Sequence, residues 1–276
     1  MGSNPTLSAR SFLFVALSKR LIPAPFLPLA RSLYHGAYRR RFGVEWWIRD
    51  RLERDPTLPP SKLRFRVGES CDPAVFLDVG RRTAQNIGDC LNAAGLAMAA
   101  DAAALDFGCG CGRTLRWFTR QFPSVKWHGC DVDAEAIAWC RANLPGRYEV
   151  NAPGKPIPFS DASFDLVFAV SVFTHVDEEF QRGLVPELMR ILKPGGALLV
   201  SVYSEHVWRA TRDAGAIERG EFVFQQSAKL KGIVPEWYHT AFQSRERILR
   251  LLDPYCASVR YMERGLGDQD AVIGVK

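Results

Sequence analysis

The residues best suited to chemistry in this 276-residue chain gather around one stretch, LDFGCGCGR, Leu105 to Arg113. Asp106 stands two residues before Gly108, and Gly108, Gly110 and Gly112 alternate with Cys109 and Cys111. Glycine permits positive φ and lets a ligand lie against bare backbone. The open amides at the start of a following helix suit an anionic or polar group. A second acid, Asp131, stands 25 residues beyond Asp106 and is followed by Val132. A carboxylate at such a place can accept both hydroxyls of a ribose, as nucleotide sites do. Three candidate proton acceptors lie further along: His175, Tyr238 and His239. An imidazole takes a proton near neutral pH and can serve a hydroxyl nucleophile as general base. A structural histidine opening the next helix is an equal reading of His175.

These side chains need elements to hold them. The apolar run Ala102 to Leu105 predicts a strand, and TLRWFTRQF predicts a helix with Leu115, Phe118 and Phe122 on one face. Val125 to Asp133 reads as a second strand ending in acids, with Asp133 as the N-cap of the helix AEAIAWCRANL. Tyr148 to Val150 is a short third strand ending at Asn151. Phe164 to Ser171 is almost wholly apolar, as a strand covered on both faces must be. Its carboxyl end, Ser171 to His175, is expected over the ligand, because open α/β sheets bind there. Asp165, at the other end, is expected to be structural. Glu178 to Leu192 predicts a helix with Leu184, Leu188, Ile191 and Leu192 inward. LKPGG then turns into a fifth strand ending at Val202.

In order, character and spacing, D-x-G-x-G-x-G at Asp106, the acid Asp131, PFSDASFD at Pro158 to Asp165 and LKPGG at Leu192 to Gly196 resemble the class I S-adenosylmethionine-dependent methyltransferases. The likeness is to bacterial small-molecule or glycan-associated types and runs from Leu105 to Val202, about a third of the chain. It implies an α/β, Rossmann-like, doubly wound, mostly parallel seven-stranded sheet. An antiparallel C-terminal hairpin closes that sheet, here Ala257 to Met262 with Ala271 to Val275. It implies S-adenosyl-L-methionine as cofactor, held by Asp106, Gly108, Cys109, Gly110, Gly112, Asp131, Val132, Asn151 and Ser171. Asn151 stands where the family often carries an aspartate for the adenine amino group. Its carbonyl can still accept, without charge. The acceptor implied is an oxygen or nitrogen of a small molecule or sugar. A dinucleotide oxidoreductase wants G-x-G-x-x-G instead, and a non-catalytic cofactor-binding scaffold is the alternative of another class.

Around this core the chain adds two parts. Residues 1–60 read as a basic, partly helical extension, and 61–276 as the methyltransferase domain. Residues 1–66 hold 13 Lys/Arg against 4 Asp/Glu, and the remainder 23 against 26. The main domain is therefore not a basic nucleic-acid binder. The arm is expected to pack on protein, with a peripheral membrane contact through residues 1–44 as the alternative. SFLFVAL is too short to span a bilayer and no small-residue cleavage site follows, so a cytoplasmic protein is expected, with the inner membrane face as the variant. Trp46 to Leu52 predicts a short helix, and DPTLPP breaks it. LRFRV, Leu63 to Val67, alternates and predicts a strand or extended segment. From Asp72 the spacing of Phe76, Val79, Gly80, Ala84, Ile87, Leu91 and Ala94 predicts a helix capped at Gly95. Its Arg81 and Arg82 are candidate clamps for a cofactor carboxylate, or a solvated face. Residues 203–243, rich in aromatics, are a candidate substrate cover. The seven cysteines form no C-x-x-C pair. Cys109-x-Cys111 is too tight for zinc, so no metal is expected.

Overall fold

A computed structural model describes residues 43–53, 55–225 and 239–276. The chain divides into two compact units, Met1–Leu52 and Glu53–Lys276. The division falls before the proline break at Pro59 and Pro60, earlier than the expected boundary at 60. Of the first unit, residues 43–52 form a helix, in which Arg49 bonds Glu45 and Arg51 lies over the Trp47 ring. The expected contacts of the preceding arm lie outside the described residues. No helix among the described residues is long and apolar enough to cross a membrane.

The second unit is built on a sheet of seven strands. β1 is Ala103–Phe107, β2 Lys126–Asp131, β3 Arg147–Val150, β4 Phe164–Ala169 and β5 Leu192–Tyr203; β6 and β7, Val223–Gln225 and Thr240–Phe242, form a separate pair; β8 and β9 are Ser258–Met262 and Gln269–Val275. The main sheet runs β3-β2-β1-β4-β5-β9-β8. The first five strands are parallel, β9 is antiparallel to β5, and β8 to β9. β4 is buried along nearly its whole length, which is why it reads as an unbroken apolar run. Separate apolar cores pack the two faces, one around Phe118, Trp127 and Phe168, the other around Phe173, Leu188 and Val200. From β1 the chain steps outward to β2 and β3, then returns from β3 to β4 on the other side of β1, so the strand order reverses there. Ligands bind outside the carboxyl ends of such a switch point.

The helices follow local signals. α1 is Ser61–Gly68, α2 Pro73–Ala93, α3 Leu115–Gln121, α4 Ala134–Asn143 and α5 Glu178–Ile191; α6 Glu205–Trp208, α7 Ala214–Glu218 and α8 Arg245–Leu252 follow. Asp72 caps α2 by accepting from Ala74 N–H at 2.8 Å, with Pro73 in the first turn. α1 corrects the strand expected over LRFRV. Leu63, Arg64 and Phe65 are all buried, and Arg64 donates to Cys71 O, Pro59 O and Ser61 Oγ at 2.9, 2.7 and 3.0 Å. An arginine satisfied in the interior mimics the polar beat of a strand.

α2 packs so closely at Gly80 on the start of α3 that a Cβ there would sit 2.3 Å from the carbonyl oxygen of Arg113, in the turn before α3, and 3.0 Å from Trp117 Nε1 within it. Alanine favours a helix over glycine by about 1 kcal/mol. Forcing apart a packed contact against backbone costs about 1–3 kcal/mol, occasionally more. At 2.3 Å against backbone the clash lies toward the upper end of that range and wins, so Gly80→Ala is expected to lower stability by a net of up to ~2 kcal/mol, seen as a lower urea midpoint. An unchanged midpoint would show that the two helices separate freely.

Candidate functional site

A cavity of about 430 Å³ opens at the carboxyl ends of β1, β2, β3 and β4. Its floor is the glycine turn. Gly108 and Cys109 N–H donate to Cys130 O at 2.8 and 3.1 Å, and Gly110 N–H donates to Asp131 Oδ2 at 2.7 Å. The turn is thus fastened to the end of β2. Gly108 and Gly110 take φ of +81° and +52°, and a Cβ on them would come within 2.6 Å of Val172 Cγ2 and 2.4 Å of Val67 Cγ1, both cavity-lining residues. Only glycine leaves this cradle open. Gly112 is not among the lining residues. It faces Leu144 and Cys140, so its place in the turn is one of packing against α4.

Two carboxylates sit in the floor. Asp106 is buried, and burial pushes its pKa well above the aspartate range; the Asp131 charge adds to this and Arg113 partly offsets it. Asp131 is also pushed up by burial, against the amides of Asp133, Gly110 and Val132. Its Oδ1 accepts from Asp133 N–H at 2.8 Å. A carboxylate offers about four acceptor positions, so acceptor capacity remains for a ligand. Asp133 caps α4 by accepting from Glu135 and Ala136 N–H, as expected, and also pairs with Arg66 at 2.6 Å. Asp133→Ala should therefore cost about 1 kcal/mol of stability as a lost cap while leaving ligand affinity nearly unchanged, measured by denaturation beside calorimetry.

Asn151 follows β3 and lines the cavity, and its Oδ1 is buried with no hydrogen-bond partner among the described residues. A buried acceptor without a donor is costly, and a ligand N–H at this place would satisfy it. Ser171, after β4, takes a φ of +60°. Its N–H donates to Ser201 Oγ at 2.7 Å, and its Oγ accepts from Gln269 Nε2 at 2.8 Å.

His175 and His239 also line the cavity. They are 64 residues apart, and His175 Nδ1 lies 2.8 Å from His239 O. A carbonyl only accepts, so Nδ1 carries the proton and Nε2 the lone pair. Burial pushes the His175 pKa down, partly offset by that bond, which keeps the ring neutral at pH 7. His239 meets Phe224 edge-on at 5.2 Å. Tyr238 and Trp237 lie outside the described residues.

The described aromatic residues of the insertion after β5 include cavity-lining and locally packed ones. Phe224 and His239 face the cavity, while Trp208 and Phe242 pack locally with Ile217. Arg81 and Arg82 do not reach the cavity. Both pair with Asp78 on the exposed face of α2. Among the described residues the arginines that line it are Arg66 and Arg113. Arg113 ends the glycine stretch itself, and Arg66 lies in the last turn of α1, where LRFRV predicts a strand or extended segment. The thiols of Cys109 and Cys111 are buried, and burial raises their pKa values. All seven cysteines are free, and no group of metal-ligating side chains occurs among the described residues.

Residues 105–200 match the model of a family described as a methyltransferase domain. The phthiotriol/phenolphthiotriol dimycocerosates methyltransferase 1 of Mycobacterium ulcerans is 37% identical over 97 residues, 34% of this chain and 35% of that protein. An uncharacterized methyltransferase of Mycobacterium sp. (strain KMS) is 33% identical over 150 residues, 54% of this chain and 55% of that one. The chain thus spans about a third to a half of the length of these curated relatives. Among solved structures, an amino pentose methyltransferase from Micromonospora echinaspora, with S-adenosylmethionine bound, superposes with a TM-score of 0.51 at 17% identity. The superposition covers 71% of this chain and 91% of the other, a likeness of fold.

Proposed function

We propose that this chain, which over residues 105–200 matches the model of a methyltransferase domain, is a class I S-adenosylmethionine-dependent methyltransferase that moves a methyl group from S-adenosyl-L-methionine to an oxygen or nitrogen of a small molecule or sugar. The observation that carries the reading is one cavity at four strand ends, holding a bare glycine cradle, a braced carboxylate and an orphaned amide oxygen. These fit the cofactor part by part. Asp131 would accept from the ribose hydroxyls, Asn151 Oδ1 from the adenine amino group, and the glycine turn would receive the methionine part. Asp106, costly to ionise alone, would be relieved by the cationic amine of that part. When bound, the cofactor supplies a methyl on a sulfonium, open to in-line attack. Alignment of such reactants contributes about 7–11 kcal/mol.

The chain's own part in chemistry is proton handling and water exclusion. His175, neutral with Nε2 as acceptor, would take the proton from an acceptor hydroxyl. Val172, Val176, Phe180 and Phe224 line the same cavity and would keep water from the nucleophile. The amino pentose named for the superposed Micromonospora enzyme and the phthiotriol/phenolphthiotriol dimycocerosates named for the Mycobacterium ulcerans relative support a small-molecule acceptor. We place the reaction in the cytoplasm.

Purified protein should gain thermal stability with S-adenosylhomocysteine, by about 2.7 kcal/mol at a hundredfold excess over its dissociation constant, and none with NAD. A shift with NAD alone would sink the methyltransferase reading. Binding without product across a panel of phenols, sugars and amines would favour a scaffold.

A further inference from the structure

The turn carrying His175 is held on both flanks by a buried pair of glutamines, and the structure assigns Gln181 and Gln243 as positioning residues for the His175 imidazole. Gln181 lies in the first turn of α5 and is 1% exposed; Gln243 follows β7 and is 3% exposed. Gln181 Nε2 donates to Phe173 O at 2.9 Å and to Val176 O at 3.2 Å. One amide thus grips the turn on both sides of His175. An amide can be placed either way round, and the wrong way would set an oxygen against two carbonyls. Gln243 removes that choice, because its Nε2 donates to Gln181 Oε1 at 3.0 Å.

The same glutamine pair joins the turn to the insertion. Ala241 N–H donates to Thr174 O at 2.8 Å, His239 N–H to His175 O at 3.4 Å, and His175 Nδ1–H to His239 O at 2.8 Å. The carbonyl that selects the His175 tautomer therefore belongs to a segment which the glutamines dock against the turn. Such a contact acts on the base through its orientation, as a partner to one ring nitrogen does in other imidazole sites. The contacts of Gln181 with Phe173 O and Gln243 are buried and that with Val176 O is partly buried, so removing the first two carries the cost of an unmade buried bond. The assignment rests on His175 being the base proposed above, and the following test reads the imidazole without any methyl transfer.

Nitrogen NMR of the full chain, with S-adenosylhomocysteine added, reports which ring nitrogen of each histidine carries the proton. The His175 signal is the one lost in His175→Ala. The wild type is expected to show His175 in the Nδ1–H form alone. Gln181→Met, similar in length but without donors, should change this to a mixture of both tautomers and speed exchange of the Ala241 amide at least tenfold. Gln243→Met should move both in the same direction by less. S-adenosylhomocysteine affinity should stay within threefold, because neither glutamine lines the cavity. A wild-type tautomer signature in folded Gln181→Met overturns the inference, and so does an Nε2–H form in the parent. If Gln181→Met does not fold, a wild-type signature in Gln243→Met overturns it instead. Failure to bind S-adenosylhomocysteine in the parent is a different result, which strikes the proposed function and leaves the tautomer readout intact.

Discussion

Asp131→Ala is expected to weaken S-adenosylhomocysteine binding by about 30- to 150-fold, the equivalent of 2–3 kcal/mol for hydrogen bonds to a charged acceptor. Two effects add. The ribose would lose its carboxylate, and the glycine turn would lose the brace that Asp131 Oδ2 gives to Gly110 N–H. Asp133→Ala is the control, since that carboxylate is engaged by the α4 amides and Arg66. Calorimetry on both variants checks the ranking, and a larger loss at Asp133 would mean that the ribose is held two residues further on. Acid should weaken binding in the parent as well. Burial raises the Asp131 pKa, so its acceptor is lost on protonation at a higher pH than for an ordinary aspartate. The sign for folding is opposite. A carboxyl raised above its unfolded value contributes stability that is present at low pH and lost as pH rises through the raised value. Without ligand, Asp106 and Asp131 therefore work against the fold at neutral pH. A ligand that favours their charged forms recovers that cost.

How much of this was legible in the sequence follows from how local each signal is. The glycine turn, the acid ending β2 and the cap at Asp133 each depend on a few neighbouring residues, and the structure has them where the spacing indicates. The sheet was legible because parallel strands buried on both faces leave unbroken apolar runs. α1 was not, because Arg64 is polar in sequence and interior in space. The periodicity of α2 marked its buried face, yet nothing in a helix pattern tells whether exposed arginines reach across to a ligand. Arg81 and Arg82 turn instead to Asp78, within their own helix. The pairing of His175 with the His239 carbonyl spans 64 residues and runs through backbone. A main-chain carbonyl has no residue type, so no spacing rule can find it.

That pairing sets the expectation for His175→Ala, the second large effect. With a hydroxyl acceptor, turnover should fall about a hundredfold or more, the range for losing general-base help. Cofactor affinity should change little, because the imidazole works on the acceptor. The pH profile separates a base from a spacer. Burial lowers the His175 pKa, so the parent should keep its rate below the ordinary histidine value of about 6.5 and lose it on a limb further to the acid side. The variant should lose that limb. Folding shows the matching sign: a histidine with a lowered folded pKa contributes stability that is present above its unfolded value and lost as pH falls through the folded one. His239→Ala keeps the backbone carbonyl that orients His175 and removes only its own ring, which packs against Phe224 in the cavity wall. It should raise the acceptor KM with kcat nearly unchanged, as lost uniform binding does. Single-turnover rates against pH for both variants decide between these roles. A His175→Ala enzyme with the parent's rate and acid limb on a hydroxyl acceptor removes the imidazole from proton transfer. The reaction would then rest on alignment alone, which suffices for an amine that arrives neutral but leaves a hydroxyl without a proton acceptor at the moment of attack.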